Sequence, residues 1–338
     1  MRQSNFWKDS GLGELFMTGI PGTKLDKETL NLVKDYGISK FILFSRNTKK
    51  GPRALKKLCK DIKKTCLSHG LTPLIAIDQE GGPVRRLSPP DFSDMPSQTS
   101  VRRAQEPEKA IYGLAMATVK ILKKFYIDIN LAPVLDLCLQ GEKNVLKERC
   151  FGKISEKVAR LGAIYVNCLE RNGIKSTAKH FPGIGRVECD PHHYLPTVTA
   201  DKETILHEAV PFKAAIEAGT SCIMTSHVVF QDIDPEKPAT FSHQIATELL
   251  RNNFGFSGVL MSDDLEMKGA LTQTDTARAA LFALMAGHDL LLVCSNHTKL
   301  RLALLGLREA WQKGNLPPHR IDEARERLAR LCHQQASF

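Results

Sequence analysis

The 338-residue sequence predicts an α/β protein, a single (β/α)8 barrel of the TIM type. Three observations predict it. Short apolar runs with strand character alternate with amphipathic helical stretches almost to the end of the chain, which argues for a parallel sheet covered by helices. The alternation gives eight units, the number that closes a barrel. No glycine-rich nucleotide-binding turn follows the early strands, which disfavours the runner-up, an open doubly wound sheet.

In chain order the expected strands are Leu15–Gly19, Lys40–Phe44, Leu74–Ile77, Ile127–Leu135, Ile174–Ala178, Cys222–Ser226, Val259–Ser262 and Leu290–Val293. Between them, Leu55, Leu58, Cys59, Ile62 and Cys66 recur at helical spacing. So do Ala110, Ile111, Leu114, Ile121 and Leu122, and then Val158, Leu161, Tyr165, Cys168 and Leu169. After Pro317 and Pro318 the chain ends in a closing helix, about 319–334, with Ile321, Ala324, Leu328 and Leu331 on one side. Residues 1–338 read as one domain, with no linker and no low-complexity tract.

Composition narrows the class. Apolar residues make up 42% and charged residues 25%, ordinary for a soluble protein with a sizeable core. The net charge of +10 comes from scattered residues. Its densest run, Lys56, Lys57, Lys60, Lys63 and Lys64, is expected to be the solvated face of a helix. Aromatics are only 7%, so no platform for nucleic acid is expected. Nine cysteines form no CxxC pair, and several, such as Cys168, Cys222 and Cys294, lie in apolar runs. Buried free thiols in a reducing compartment are the expectation. The N-terminus has no apolar signal core and no apolar run reaches the roughly 18 residues of a membrane span, so the cytoplasm is expected.

The apolar runs end repeatedly in ionisable residues: Asp78, Asp136, Lys179 with His180, His227, and Asp263 with Asp264. Barrel active sites are built at the carboxyl ends of the strands, so five strands delivering such groups to one rim point to chemistry there. For Asp136 two readings stand, a site residue or a buried carboxylate satisfied by loop amides. For His227 they are a site residue or a hydrogen-bonded core histidine. Asp263 and His180 are harder to explain structurally, because an unpaired buried charge is expensive. A metal-dependent hydrolase is disfavoured by the lack of His-x-His after the first strand, no histidine preceding His69. Metal-free acid/base and nucleophilic chemistry on a neutral substrate such as a sugar is the better match.

The segment Lys179–Pro196, KHFPGIGRVECDPHHYLP, resembles the KHFPGHGxxxxDSHxxLP signature of glycoside hydrolase family 3, in its single-domain β-N-acetylhexosaminidase branch. Further similar segments follow the family's order: IPGT (Ile20–Thr23), ILFSRN (Ile42–Asn47), IDQEGGPVRRL (Ile77–Leu87), NLAPVLDL (Asn130–Leu137), ERCFG (Glu148–Gly152), PATFS (Pro238–Ser242), GFSGVLMSDDLEMKGA (Gly255–Ala270) and AGHDLLLVC (Ala286–Cys294). The resemblance covers about residues 10–332. It implies that Asp263 is the catalytic nucleophile and Asp264 is not. It also implies that His192 is the general acid/base with Asp190 as its partner carboxylate. Asp78, Arg86, Arg149, Lys179 and His180 match residues that grip the sugar.

Those roles make chemical sense. Retaining hydrolysis needs a carboxylate to trap the oxocarbenium-like carbon and an acid to protonate the leaving oxygen. Histidine titrates near neutrality and can give a proton and then take one from water. Asp190-Pro191-His192 supplies ring and carboxylate in one loop, and Gly183 and Gly185 are expected to leave its entrance free to bend. Three positions depart from the pattern: Ile184 replaces a usual His, Arg186 a frequent Asp, and Pro191 the usual small residue before the acid/base His. The resemblance implies release of N-acetylglucosamine from peptidoglycan-derived GlcNAc-1,6-anhydroMurNAc peptides, and the expectation is a cytoplasmic monomer without cofactor or metal. A phosphorylase or β-glucosidase of the same fold is the alternative, and a non-catalytic sugar-binding relative a remoter one.

Overall fold

The computed structural model describes residues 6–7, 10–139, 146, 148–187, 195–271 and 274–333. Eight parallel strands close a barrel: β1 (Phe16–Gly19), β2 (Lys40–Leu43), β3 (Leu74–Ile77), β4 (Ile129–Asn130), β5 (Lys175–Phe181), β6 (Cys222–Thr225), β7 (Val259–Asp264) and β8 (Leu290–Val293). Neighbours in the barrel are neighbours in sequence, and β8 returns to β1 with Phe16 opposite Leu291. The predicted (β/α)8 barrel is the observed fold.

The helices cover it in turn: α1 (Lys27–Tyr36), α2 (Gly51–Ser68), α3 (Pro107–Lys124), α4 (Ser155–Arg171), α5 (Val210–Glu217), α6 (Gln244–Asn253, wound as a π-helix), α7 (Thr276–Ala286) and α8 (His297–Gln312). Helix α9 (Pro318–His333) packs Ile321, Ala324, Leu328 and Leu331 inward, the stripe its sequence shows. α2 buries Leu55, Leu58, Cys59, Ile62 and Cys66, and α4 buries Val158, Leu161, Tyr165, Cys168 and Leu169, as their spacing requires. Each Leu, Ile or Val among them contributes about 1.5–3 kcal/mol of transfer free energy. Among the described residues no helix is long and apolar enough to cross a membrane.

Three expectations are corrected. The run Ile127–Leu135 forms only the two-residue β4, because Pro133 has no N–H to give the ladder and pairing resumes at a lone bridge, Val134 to Lys179. Lys63 is not simply solvated: its ammonium lies 2.6 Å from the carboxylate of Asp128. Not all cysteines are free. Cys59, Cys66, Cys168, Cys222 and Cys294 are buried thiols, but Cys138 and Cys150 form a disulfide pair. The chain after β4 folds back so that the Cys138 amide donates to Gly152 O (2.8 Å), which brings together two residues that spacing alone does not pair.

Candidate active site

Strand ends deliver the ionisable groups to one cavity of about 260 Å³ at the carboxyl end of the barrel. Asp78, Arg86, Arg149, Lys179, His180 and Asp263, all expected site residues, line it. Asp190 and His192 lie outside the described residues. Glu80, which strand-end reasoning missed, also lines the cavity.

The geometry starts at β3. Asp78 leaves its end, and the chain turns through a short hairpin, Gln79–Gly81 against Val84–Arg85. Gln79 fixes that hairpin: its side-chain oxygen accepts from the amides of Arg86 (3.1 Å) and Leu87 (3.0 Å). Arg86 is thereby aimed back at Asp78, its Nη2 3.0 Å from Oδ2. The other oxygen of Asp78 accepts from Lys179 Nζ at 3.0 Å. Lys179 also reaches Glu80 Oε1 at 2.8 Å, and Glu80 receives Arg149 edge-on, Nε at 2.8 Å and Nη2 at 2.9 Å. Burial alone pushes both carboxyls up, but the cations outweigh it and hold Asp78 and Glu80 below their ordinary range. Burial likewise opposes the charged form of Lys179, and the two carboxylates more than restore it. The result is a chain of fixed charges at the sugar-sized cavity.

β5 contributes two adjacent residues. Its pairing with β6 slips between Lys179 and Phe181, and the Lys179–His180 peptide is cis. Both side chains line the cavity. Asp136, at the exit of β4, accepts from His180 Nδ1 (2.7 Å) and from the amide of Ile184 (2.8 Å). It is the buried carboxylate satisfied by loop groups, and it orients the imidazole of His180. His227 is buried with both ring nitrogens engaged, Nδ1 with Thr240 Oγ1 (2.8 Å) and Nε2 with Asp264 O (3.0 Å), although one edge lines the cavity.

β7 carries Asp263 to the rim. Its register against β8 shifts between Met261 and Asp264, and Ser262 Oγ accepts from Leu292 N (3.0 Å). Such an irregularity re-aims the following side chain. Asp263 Oδ1 accepts from the Asp264 amide at 2.7 Å, which fixes one oxygen. Asp264 accepts from the amides of Glu266 (3.1 Å) and Cys294 (3.3 Å). Burial, with the charges of Glu266 and Asp263, pushes its carboxyl up to about 7. Two adjacent carboxyls thus have separate environments: Asp263 is the candidate nucleophile, and Asp264 has one oxygen taken by two backbone amides.

The start of the β5 loop is less free than its glycines suggest. A Cβ on Gly185 would lie 2.2 Å from Leu137 O, so the glycine serves close packing. Gly183 has φ +134°, a backbone only glycine adopts readily. The Val187 amide donates to Ile184 O (3.0 Å), and Arg186 pairs with Glu208 at 2.6 Å. Ile184 lines the cavity as an apolar wall. Among the described residues no group of three His, Cys, Asp or Glu converges as a metal-binding set.

Comparison with known proteins gives a consistent picture. A protein named "Beta-hexosaminidase" from Idiomarina loihiensis is 33% identical over 284 residues, 83% of each chain. The solved β-N-acetylglucosaminidase of glycoside hydrolase family 3 from Paenibacillus sp. str. FPU-7 superposes with a TM-score of 0.93 at 32% identity, over 97% of this chain and 62% of that one. The β-N-acetylhexosaminidase of Beutenbergia cavernae gives 0.85 at 28% identity, over 96% of this chain and 98% of that one. Residues 9–331 match the glycosyl hydrolase family 3 N terminal domain, and the chain belongs to that family.

Proposed function

We propose that the protein is a retaining exo-β-N-acetylglucosaminidase in which Asp263 attacks the anomeric carbon of a bound sugar. The observation that carries this is the facing of the Asp263 carboxylate and the Asp78, Arg86, Arg149, Lys179 and His180 clamp across one small cavity. The charged donors and acceptors suit a ring of hydroxyl groups, each of which both gives and takes hydrogen bonds. The name shared by the curated relatives supports the N-acetylhexosamine.

Asp263 forms the C1–O bond of a glycosyl-enzyme as the leaving oxygen departs. His192, oriented by Asp190, gives that oxygen a proton and then takes one from the water that releases the sugar. These loop roles rest on the family resemblance, as does the finer substrate, GlcNAc-1,6-anhydroMurNAc peptides handled by a cytoplasmic monomer without cofactor.

The test pairs nitrophenyl β-N-acetylglucosaminide with the β-glucoside, each with and without phosphate. The expected result is turnover of the first alone, at a rate indifferent to phosphate. His192→Ala should then lose about 10²–10⁴-fold on a disaccharide, with azide rescuing the aryl glycoside and His193→Ala showing neither effect. Turnover only with phosphate would make the enzyme a phosphorylase, and equal turnover of the glucoside would remove the N-acetyl preference.

A further inference from the structure

We propose that Glu80 is a positioning residue of this site, one that holds Arg149 and Lys179 in place and also sets the charge balance that lets a positive charge develop on the sugar. The inference rests on the glycosidase reading above.

The geometric part is direct. Glu80 is 1% exposed, and both of its oxygens are used on cations: Oε2 by Arg149 Nε, Oε1 by Arg149 Nη2 and Lys179 Nζ. The edge-on pairing fixes the plane of the guanidinium as well as its place. It uses two of the five Arg149 donors and one of the three on Lys179. A second contact from Lys179 goes to Asp78, so Glu80 and Asp78 hold the ammonium between them. Arg149 and Glu80 are 69 residues apart, and the pair ties the turn before α4 to the hairpin after β3.

The electrostatic part follows from what else faces the cavity. Among the described residues its cations are Arg86, Arg149 and Lys179, and its carboxylates are Asp78, Glu80 and Asp263. The remaining ionisable groups on its wall are His180, His227, Asp264 and Cys294. Burial drives the Cys294 thiol well above its ordinary value, so it stays neutral. A cationic, oxocarbenium-like sugar is disfavoured by each added positive charge in the cavity. Removing the Glu80 charge makes the cavity one unit more positive. Glu80 is therefore needed twice, for where the clamp sits and for the net field at the reacting carbon.

The test separates those roles by binding, with no turnover required. Two ligands carry the hydroxyl and N-acetyl pattern of the sugar: a protonated iminosugar, and its neutral lactam. Titration calorimetry measures both on wild type, Glu80→Gln and Glu80→Asp. Glu80→Gln keeps the shape and removes the charge, so it should lower affinity for the cation about tenfold more than for the lactam. Glu80→Asp keeps the charge and shortens the reach, so both affinities should fall together and their ratio stay at the wild-type value. In kinetics Glu80→Gln should lower kcat more than it raises KM, since the lost term acts on charge that develops in the transition state. A cation-to-lactam ratio that is the same in all three proteins would overturn the charge role, as would a ratio that falls in Glu80→Asp. Should Glu80→Gln not fold, Glu80→Ala takes its place, with the same roughly tenfold larger loss expected for the cation than for the lactam. Wild type that binds both ligands yet hydrolyses no glycoside would sink the glycosidase reading and leave the ratio test of Glu80 standing.

Discussion

Two buried charge clusters sit at opposite ends of the same barrel, and they do different work. At the amino end, Asp289 precedes β8 and is completely buried. Its Oδ1 accepts from Arg320 (2.9 Å) and Arg327 (3.0 Å), its Oδ2 from Arg251 (2.6 Å) and the Leu260 amide (2.9 Å). Arg320 goes on to the carbonyls of Leu284 and His288. This cluster stitches α9 and α6 to the strands, and the carboxylate is spent on protein donors. At the carboxyl end, Asp78, Glu80, Lys179, Arg86 and Arg149 make equally short contacts, but around a cavity that a ligand can enter. We assign stability to the first cluster and recognition to the second, because the Asp289 carboxylate is filled by protein donors whereas the second cluster lines the cavity at the carboxyl ends of the strands.

The comparison makes its largest prediction at the amino end. Asp289→Asn removes the buried carboxylate that Arg251, Arg320 and Arg327 share and leaves only the half-exposed Glu323 beside the last two. It should cost about 3–5 kcal/mol in urea unfolding, while kcat/KM of the folded enzyme stays within about twofold of wild type. Unchanged stability, or activity that drops in the folded fraction, would erase the division between the two ends.

A smaller effect belongs to Asp264, which lies at the carboxyl end but whose Oδ1 accepts from two backbone amides. Its carboxyl is pushed by burial from an ordinary 3.8 up to about 7. The neutral form is therefore favoured in the fold. That stabilisation is fully present below about pH 4 and is lost as pH rises through about 7. Asp264→Asn removes the titration, so its stability relative to wild type should rise between pH 4 and pH 7 and then level off, by roughly 1–3 kcal/mol. Thermal unfolding across that range checks it. A difference that is flat with pH would place the ionised form of Asp264 in a favourable environment and contradict the reading of the site.

The barrel was legible because its signal is local. Leu74–Ile77 and Leu290–Val293 are continuous apolar runs, and the observed strands coincide with them. The rim was legible for the same reason: a charge directly after an apolar run has to be somewhere special. Glu80 was not found that way. It sits three residues past the end of β3, on a hairpin, and its meaning lies in partners 69 and 99 positions away. The signal available was the unbroken IDQEGG segment, where two acids so near a strand end, in a buried region, call for cations from elsewhere. Cys138 and Cys150 are a second case, since their nearness goes with the Cys138–Gly152 backbone bond, which spacing does not announce. Gly185 is a third: freedom and close packing are both reasons for a glycine, and only the nearness of Leu137 O decides between them.

The most direct test concerns the residue on which the functional reading turns. A fluorinated N-acetylglucosaminyl donor with a good leaving group slows both steps of a retaining hydrolase, the second more, and leaves the sugar bonded to the nucleophile. Peptide mass mapping of the trapped protein should place that sugar on Asp263, at the rim end of β7, with Asp264 unmodified. A label on Asp264, or hydrolysis of the ordinary substrate with no carboxylate labelled, would contradict the assignment.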